Sequence, residues 1–249
     1  MYAVIPADIA KRVQLAVSTE ETRYYLNGFC VQPSPAGGVE VCATDGHILS
    51  LFRAYNGQVD REPGQNWPIV QLSKTELAAA GKPIKHMGGT FYLVVEGDHA
   101  RSTVTLVMAD DSTAALESAR NNVMGAIAFQ ANGRHFVDGS FPNYRRVIPD
   151  GPMALGSAGT FNVELLARLG KCVSEPKKPP IVTIVHTDHG APMRVTCDNP
   201  EYRDSWLGVI MPCRGPDEAP ITAPGWLNPP PVAETPAHPD VFAGLEAAE

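Results

Sequence analysis

Asp138-Gly-Ser-Phe-Pro-Asn-Tyr-Arg-Arg-Val-Ile-Pro149 packs a turn opener, a proline-fixed bend, a tyrosine and two adjacent arginines into twelve residues. Glycine accepts positive φ, so Asp138-Gly139 favours a tight turn. Pro142 fixes its own φ and biases Phe141 toward extended geometry. A segment of this kind leaves a sheet and crosses to the next part of the chain, as junctions between domains do. It divides the sequence into residues 1–149, residues 150–214 and a tail of different composition, 215–249.

Upstream of the connector, Tyr2-Ala-Val-Ile5 reads as a short strand stopped by Pro6. Residues Pro6 to Val17 read as a helix, because proline suits a first turn and Ile9, Val13 and Val17 recur along one face. A strand is expected to begin at Arg23-Tyr24-Tyr25-Leu26, followed by a loop from Pro33 to Gly38 and a second strand, Val39–Thr44. Asp45-Gly46 is a hairpin signal, with Ile48–Phe52 as the return strand. The order strand, helix and three strands then recurs. Trp67–Leu72 is a strand, and Ser73 caps a helix through Gly81 with Glu76 at the capping-box position. Pro83 ends or kinks that helix. Phe91–Val95, Ser102–Met108 and Gly125–Gln130 are strands, while residues 110–122 form an extra helix or loop outside the repeat.

Downstream, Thr160-Phe-Asn-Val is expected as a strand leading into a helix, Glu164–Cys172. The strands Ile181–His186, Met193–Cys197 and Trp206–Met211 follow. The expected architecture is therefore α+β, built from three βαβββ units that must stack to bury their faces. Gly215–Glu249 is rich in proline, alanine and acidic residues, including Pro229-Pro-Pro231. Such a segment buries too little apolar surface to offset its ordering entropy, and a flexible tail is expected.

A hydrophobic fraction of 44% over 249 residues supports a buried core, and a net charge of −7 excludes a simple basic nucleic-acid-binding domain. Cys30, Cys42, Cys172, Cys197 and Cys213 are odd in number and lack metal-ligand spacing, which fits reduced thiols. No apolar run approaches the ~20 residues of a membrane helix, and the start shows no secretion-signal pattern. A soluble, cytoplasmic protein with no membrane partner and no cofactor is expected.

Four strings carry a resemblance: Arg23-Tyr-Tyr-Leu-Asn-Gly28, Ala43-Thr-Asp-Gly-His47, the connector, and Val209-Ile-Met-Pro-Cys-Arg214. In this order and spacing they resemble the bacterial DNA polymerase III beta sliding clamp family, over roughly residues 1–214. The resemblance implies a DNA-clamp fold, with residues 1–149 similar to the family's middle domain and residues 150–214 to the last half of its C-terminal domain. It implies a peptide-binding cleft lined by Leu26, Thr44, Gly46, His47, Leu49, Pro142, Arg146, Val147, Val209, Met211 and Pro212. These are mostly apolar, as an extended Leu/Phe-bearing peptide requires. Met211 adapts to related side chains, and Arg146 is expected to lay its stem over the pocket. Ile48 stands where the family usually has arginine, and Cys213 where it has methionine.

The resemblance further implies a processivity factor that encircles double-stranded DNA and tethers a replicative polymerase and a clamp loader. The family ring holds twelve βαβββ units. With three here, four chains are expected to close a ring. The DNA-facing candidates are Lys11, Arg12, Lys74, Lys82, Lys85, Arg168, Lys171, Lys177 and Lys178, against Asp8, Glu76, Glu164 and Glu175 in the same helical regions. A basic bore within an acidic remainder would attract phosphate while discouraging non-specific binding. A ringless protein that captures clamp-binding peptides is the alternative. The remaining class is a metal-dependent hydrolase using His186-Thr-Asp-His189 or Asp45-Gly-His47. It lacks further ligands at recognisable spacing, a phosphate loop or a nucleophile motif.

Overall fold

The structure is a computed structural model and describes residues 1–80, 89–149, 160–175, 178–185 and 191–213. Strand β1 (Tyr2–Pro6) runs directly into helix α1 (Ala7–Val13), with Pro6 at the N-cap. Ile9, Ala10 and Val13 form the buried face of α1. The helix expected to reach Val17 instead tightens into a 3-10 turn at Gln14–Ala16.

The strand expected from Arg23 begins later. Glu21–Leu26 coils into 3-10 turns, and β2 spans Phe29–Pro33. The backbone of this stretch is satisfied locally, with Ser18 N–H donating to Leu26 C=O and Asn27 N–H to Tyr24 C=O, both at 3.0 Å. Strands β3 (Val39–Thr44) and β4 (Ile48–Ala54) form the expected hairpin. Gly46 takes φ +91°, the geometry the Asp-Gly signal requires. A three-residue strand, β5 (Gln58–Asp60), was not legible in the pattern, and β6 shrinks to Ile69–Val70.

Helix α2 (Lys74–Ala80) carries the anticipated capping box. Ser73 N–H donates to Glu76 Oε2 at 2.6 Å, and Glu76 N–H donates to Ser73 Oγ at 3.3 Å. The break expected at Pro83 lies outside the described residues. Strands β7 (Thr90–Gly97) and β8 (Ser102–Ala109) follow. Residues 110–122 contain a true helix, α3 (Ser112–Arg120), whose N-cap Asp111 accepts from Ala114 N–H at 2.8 Å. Strand β9 (Ile127–Gly133) leads to the connector.

The connector differs from its sequence reading at Gly139, which does not adopt positive φ. A Cβ there would stand 3.0 Å from Tyr25 Cβ, so glycine serves close packing rather than a left-handed turn. Beyond the connector come α4 (Val163–Cys172), β10 (Val182–Val185), β11 (Met193–Cys197) and β12 (Trp206–Ile210). The strand expected at Thr160–Val163 does not form. Residues 160–162 carry no ladder, Thr160 C=O accepts from Cys213 N–H at 2.8 Å, and Asn162 caps α4. The segment belongs to neither sheet.

The strands make two antiparallel sheets, ordered β5-β1-β7-β8-β9 and β10-β11-β12-β4-β3-β2-β6. Their connection is reciprocal. β1 leaves the segment containing β2–β4 to pair with β7, while β6 leaves the segment containing β7–β9 to pair with β2. Helices α1 and α2 pack side by side over the inner faces, and α4 packs beside α1 and onto β4 and β12. Alternation decides which side chains meet them. Val39, Val41 and Ala43 of β3 and Ile48 and Phe52 of β4 enter the main core, whereas Cys42 and Leu49 face outward under the connector. On the other sheet, Val4, Tyr92, Val94 and Val107 face outward and are covered by Ala115 and Leu116 of α3.

A buried polar chain locks α2 to β8. His135 Nε2 lies 2.9 Å from Glu76 Oε1, and His135 Nδ1 lies 3.0 Å from Ser102 Oγ. Burial alone would raise the Glu76 carboxyl, but hydrogen bonds from the Ser73 backbone, from His135 and from the Ser73 hydroxyl outweigh it and hold the group below its usual range.

Candidate functional site

Three separated segments converge at one end of the seven-stranded sheet. The first is the β3–β4 hairpin turn. Asp45 Oδ1 accepts from His47 N–H and Ile48 N–H, both at 2.9 Å, and Thr44 Oγ1 donates to Ile48 C=O at 2.7 Å. Asp45 Oδ2 meets Arg168 Nη1 at 2.7 Å, tying the turn to α4. The Asp45 carboxylate is therefore consumed by structural bonds and does not engage the His47 ring as an acid–base pair. The second segment is the end of β12. It pairs Val209 with Leu49 and Ile210 with Ile48, and Met211 N–H donates to His47 C=O at 2.9 Å.

The third segment is the connector, where a 3-10 turn spans Tyr144–Val147. Residues three apart eclipse in a 3-10 turn, so Tyr144 and Val147 face the same side. Arg145 turns instead to Glu40, with Nη2 2.5 Å from Oε2, and the Tyr144 hydroxyl donates to the same oxygen. Burial, and then the Glu40 hydrogen bond, push the Tyr144 phenol far above its ordinary range, so it remains a neutral donor.

These segments, together with the 3-10 turns at Glu21–Leu26, enclose a groove of about 280 Å³. Leu26, Leu49 and Val209 form a buried floor, and Met211 and Val147, 36% and 39% exposed, stand at the rim. Thr44, Gly46, His47 and Pro142 complete the walls. Arg146 and Pro212 do not line it. Arg146, expected to cover the pocket, is exposed and is not among the residues that line it. Arg23 stands there instead. Its guanidinium sits over Gly46, where a Cβ would come within 2.5 Å of Nη1, and Glu20 holds it with bonds of 2.8 and 2.7 Å. Tyr25, Ile48, Asn143 and Tyr144 also line the groove without having been singled out as cleft residues. The Tyr-Tyr-Leu string and Tyr144 were the available signals. Ile48 is buried with its side chain in the main core, so the position that differs from the resembled family places no charge at the groove.

The proposed DNA-facing residues divide. Lys11, Lys74 and Lys171 are exposed on α1, α2 and α4, and Lys178 is exposed while pairing with Glu175 at 2.9 Å. Arg12 is turned inward. It donates to Cys172 C=O and Ser174 C=O at 3.0 Å and stacks 4.3 Å from the Tyr202 ring centroid. Arg168 is spent on Asp45 and Leu15 C=O. Both arginines act as struts joining α4 to the rest of the fold. Lys82, Lys85 and Lys177 lie outside the described residues, as do His186, His189 and the tail from Arg214 onward. Among the described residues no cluster of three or more His, Cys, Asp or Glu could hold a metal ion, and no helix is long and apolar enough to cross a membrane.

With that geometry in place, comparison with known proteins gives a consistent relation. The beta sliding clamp of Caulobacter vibrioides is 33% identical over 143 residues, covering 55% of this chain and 31% of that protein. The chain is a homologue of bacterial beta sliding clamps. The beta sliding clamp of Vibrio cholerae matches over 197 residues at 21% identity, covering 79% of this chain and 45% of that clamp. The matches thus span less than half the length of these curated clamps. No family model matches. In three dimensions, a DnaN sliding clamp (DNA polymerase III subunit beta) from Bartonella birtlesii bound to griselimycin aligns with a TM-score of 0.53 at 18% identity. It covers 86% of this clamp homologue and 66% of the Bartonella chain. That likeness establishes an α+β sliding-clamp-like fold with two antiparallel sheets. Sliding clamps, to which this chain is homologous, are a non-enzymatic family.

Proposed function

We propose that the groove binds a short extended peptide of the Gln-Leu-x-Leu-Phe kind, and that the chain works as a sliding clamp. In this reading four chains, each of three βαβββ units, close around duplex DNA. Their grooves tether a replicative polymerase, its clamp loader and other replication proteins. The observation that carries the reading is the groove itself: an apolar floor of Leu26, Leu49 and Val209 with an adaptable apolar rim at Met211 and Val147. A buried floor that is preformed costs little reorganisation, and a flexible methionine at the rim accepts related side chains. Lys11, Lys74 and Lys171 supply phosphate contacts from neighbouring helices. Encirclement holds DNA topologically, so a few weak contacts suffice.

A second reading has its own support. Arg12 and Arg168 are committed to internal bonds, which thins the positive charge that a bore would present. A ringless protein that captures clamp-binding peptides needs no such charge. Two measurements separate the readings. A fluorescent motif peptide should bind the full chain, and Leu26→Ala and Met211→Ala should each weaken it by roughly 1–3 kcal/mol if they are hot spots. No binding at high micromolar protein would overturn the cleft in both readings. Protein loaded on nicked circular DNA should be retained there and slide off once the circle is cut. Peptide binding without retention on the circle selects the ringless form.

A further inference from the structure

We propose that residues 160–162 and strand β10 form a self-complementary edge through which two copies of this chain join about a two-fold axis. The inference goes beyond the cleft and stands whether or not the cleft binds peptide. It starts from the reciprocal exchange between the two sheets. The strand before α1 pairs antiparallel with β7, the first strand after α2. The strand before α2 pairs antiparallel with β2, the first strand after α1. Each half thus gives its pre-helix strand to the post-helix strand of the other.

The segment around α4 repeats this layout but lacks both exchanges. Residues 160–162 precede α4 in the donor position and carry no ladder. β10 follows α4 in the acceptor position and is an edge strand, bonded only to β11 among the described residues. A donor can be as short as β6, which has two residues, so three suffice. The ten residues between Pro149 and Thr160 cannot hold a further βαβββ unit within the chain, since a βαβ alone needs roughly 30. A second copy turned by 180° offers the reciprocal pair, its acceptor to this donor and its donor to this acceptor. That is the condition for a closed isologous contact.

The side chains agree. Phe29 and Val31 of β2, and Ile5 of β1, are fully buried where the exchange is complete. Their positional counterparts, Val182 and Ile184 of β10 and Phe161 of the donor segment, are only partly covered. Val163, at the start of α4, is 75% exposed. This is a core left half open along an unpaired strand edge, a surface that invites strand addition. Charge fits as well. Antiparallel strand addition about an axis between the sheets runs the two α4 helices antiparallel. Glu164 in the first turn of one helix then approaches Lys171 in the last turn of the other.

The test uses the full-length chain without DNA or peptide. Light scattering and sedimentation should show an even-numbered assembly at about 10 micromolar, a range typical of moderate self-association. Hydrogen exchange should show β10 amides that are protected in the assembly and lose protection on dilution. Val163→Arg, at an exposed position that leaves the fold intact, should weaken association by at least about tenfold by placing two like charges at the contact. A monomer up to about 100 micromolar overturns the proposal. So does an assembly that survives Val163→Arg with its β10 amides unprotected. Either result leaves the peptide-binding test of the groove unaffected.

Discussion

Removing the Glu40 carboxylate tests how the connector is held against the sheet, and with it the shared wall of the groove. Glu40 lies on the outward face of β3, and its side chain is about one-tenth exposed. It accepts from the Tyr144 hydroxyl and from Arg145 Nη2 at 2.5 Å, with Gln32 Nε2 at 3.4 Å. Glu40→Ala strands the buried Tyr144 hydroxyl without its acceptor, which costs about 1–3 kcal/mol. Losing the bond to Arg145 adds about 0.5–1 kcal/mol, because that guanidinium is half exposed and screened by water. The expected total is about 1.5–4 kcal/mol. Tyr144→Phe removes the donor but leaves Glu40 paired with Arg145, so it should cost about 1–2 kcal/mol. Arg145→Met should cost less than about 1 kcal/mol. Urea unfolding of the three variants, with unchanged slope, gives the ranking through the midpoint. The double variant Glu40→Ala/Tyr144→Phe should cost clearly less than the sum of its parts, since both remove the same bond. If Arg145→Met proves as damaging as Glu40→Ala, the network is electrostatic rather than a buried hydrogen-bond lock, and the reasoning fails.

Gly28→Ala should destabilise by roughly 2 kcal/mol or more, since its Cβ would stand 2.6 Å from the Val70 carbonyl oxygen and backbone cannot retreat cheaply. A melting temperature within error of the parent protein would show that β2 and β6 can separate. Leu116→Ala should cost about 2–4 kcal/mol, because Leu116 covers Val4, Tyr92 and Val94 on the outer face of the five-stranded sheet. A loss below about 0.5 kcal/mol would make α3 a loose appendage. Glu76 has a depressed folded-state pKa, so its contribution is present above its unfolded value near 4.5 and is lost as pH falls through the folded value. Melting curves of the parent protein and Glu76→Gln should therefore converge as pH drops below about 4.5, and parallel curves would remove Glu76 from the acid response.

The parts of the fold that could be read from sequence are those where one local rule decides. The Asp45-Gly46 hairpin, the Ser73–Glu76 capping box and the alternation in β3 and β4 each appear at the residues expected. The failures share a cause, which is that pairing partners lie far away in the chain. Tyr24 and Tyr25 have strand-like composition, but the sheet edge is reached only at Phe29. Thr160–Asn162 has strand pattern yet belongs to neither sheet. The groove was legible as a set of residues, since most of its lining follows the four motifs. Arg146 follows the same motif yet is absent from the lining, since sequence order does not reveal how a 3-10 turn distributes its side chains. The inward roles of Arg12 and Arg168 were equally hidden, for their carbonyl partners Cys172, Ser174 and Leu15 carry no sequence signature.

The β12–β4 ladder explains why these particular segments stay together in one chain. The groove floor needs Leu49 from β4 and Val209 from β12 side by side, and the register that pairs them also sets Met211 N–H on His47 C=O. Trp206 fixes that register from the other end. Its indole N–H donates to the buried Ser50 hydroxyl at 3.0 Å, while its ring crowds Gly208, where a Cβ would come within 2.9 Å. A slip of one residue would turn Val209 away from the floor and break the indole bond. Asp45 and Arg168 then couple the same hairpin to α4, so the helix that follows the connector braces the turn that forms the groove wall. Truncating Trp206 to Phe keeps most of the apolar packing but frees the Ser50 hydroxyl in the core. The variant should cost about 1–3 kcal/mol and loosen the groove as well as the sheet. Peptide affinity measured on Trp206→Phe should fall although residue 206 lies outside the groove lining. Unchanged affinity at reduced stability would mean that the floor holds its shape without the ladder's far anchor.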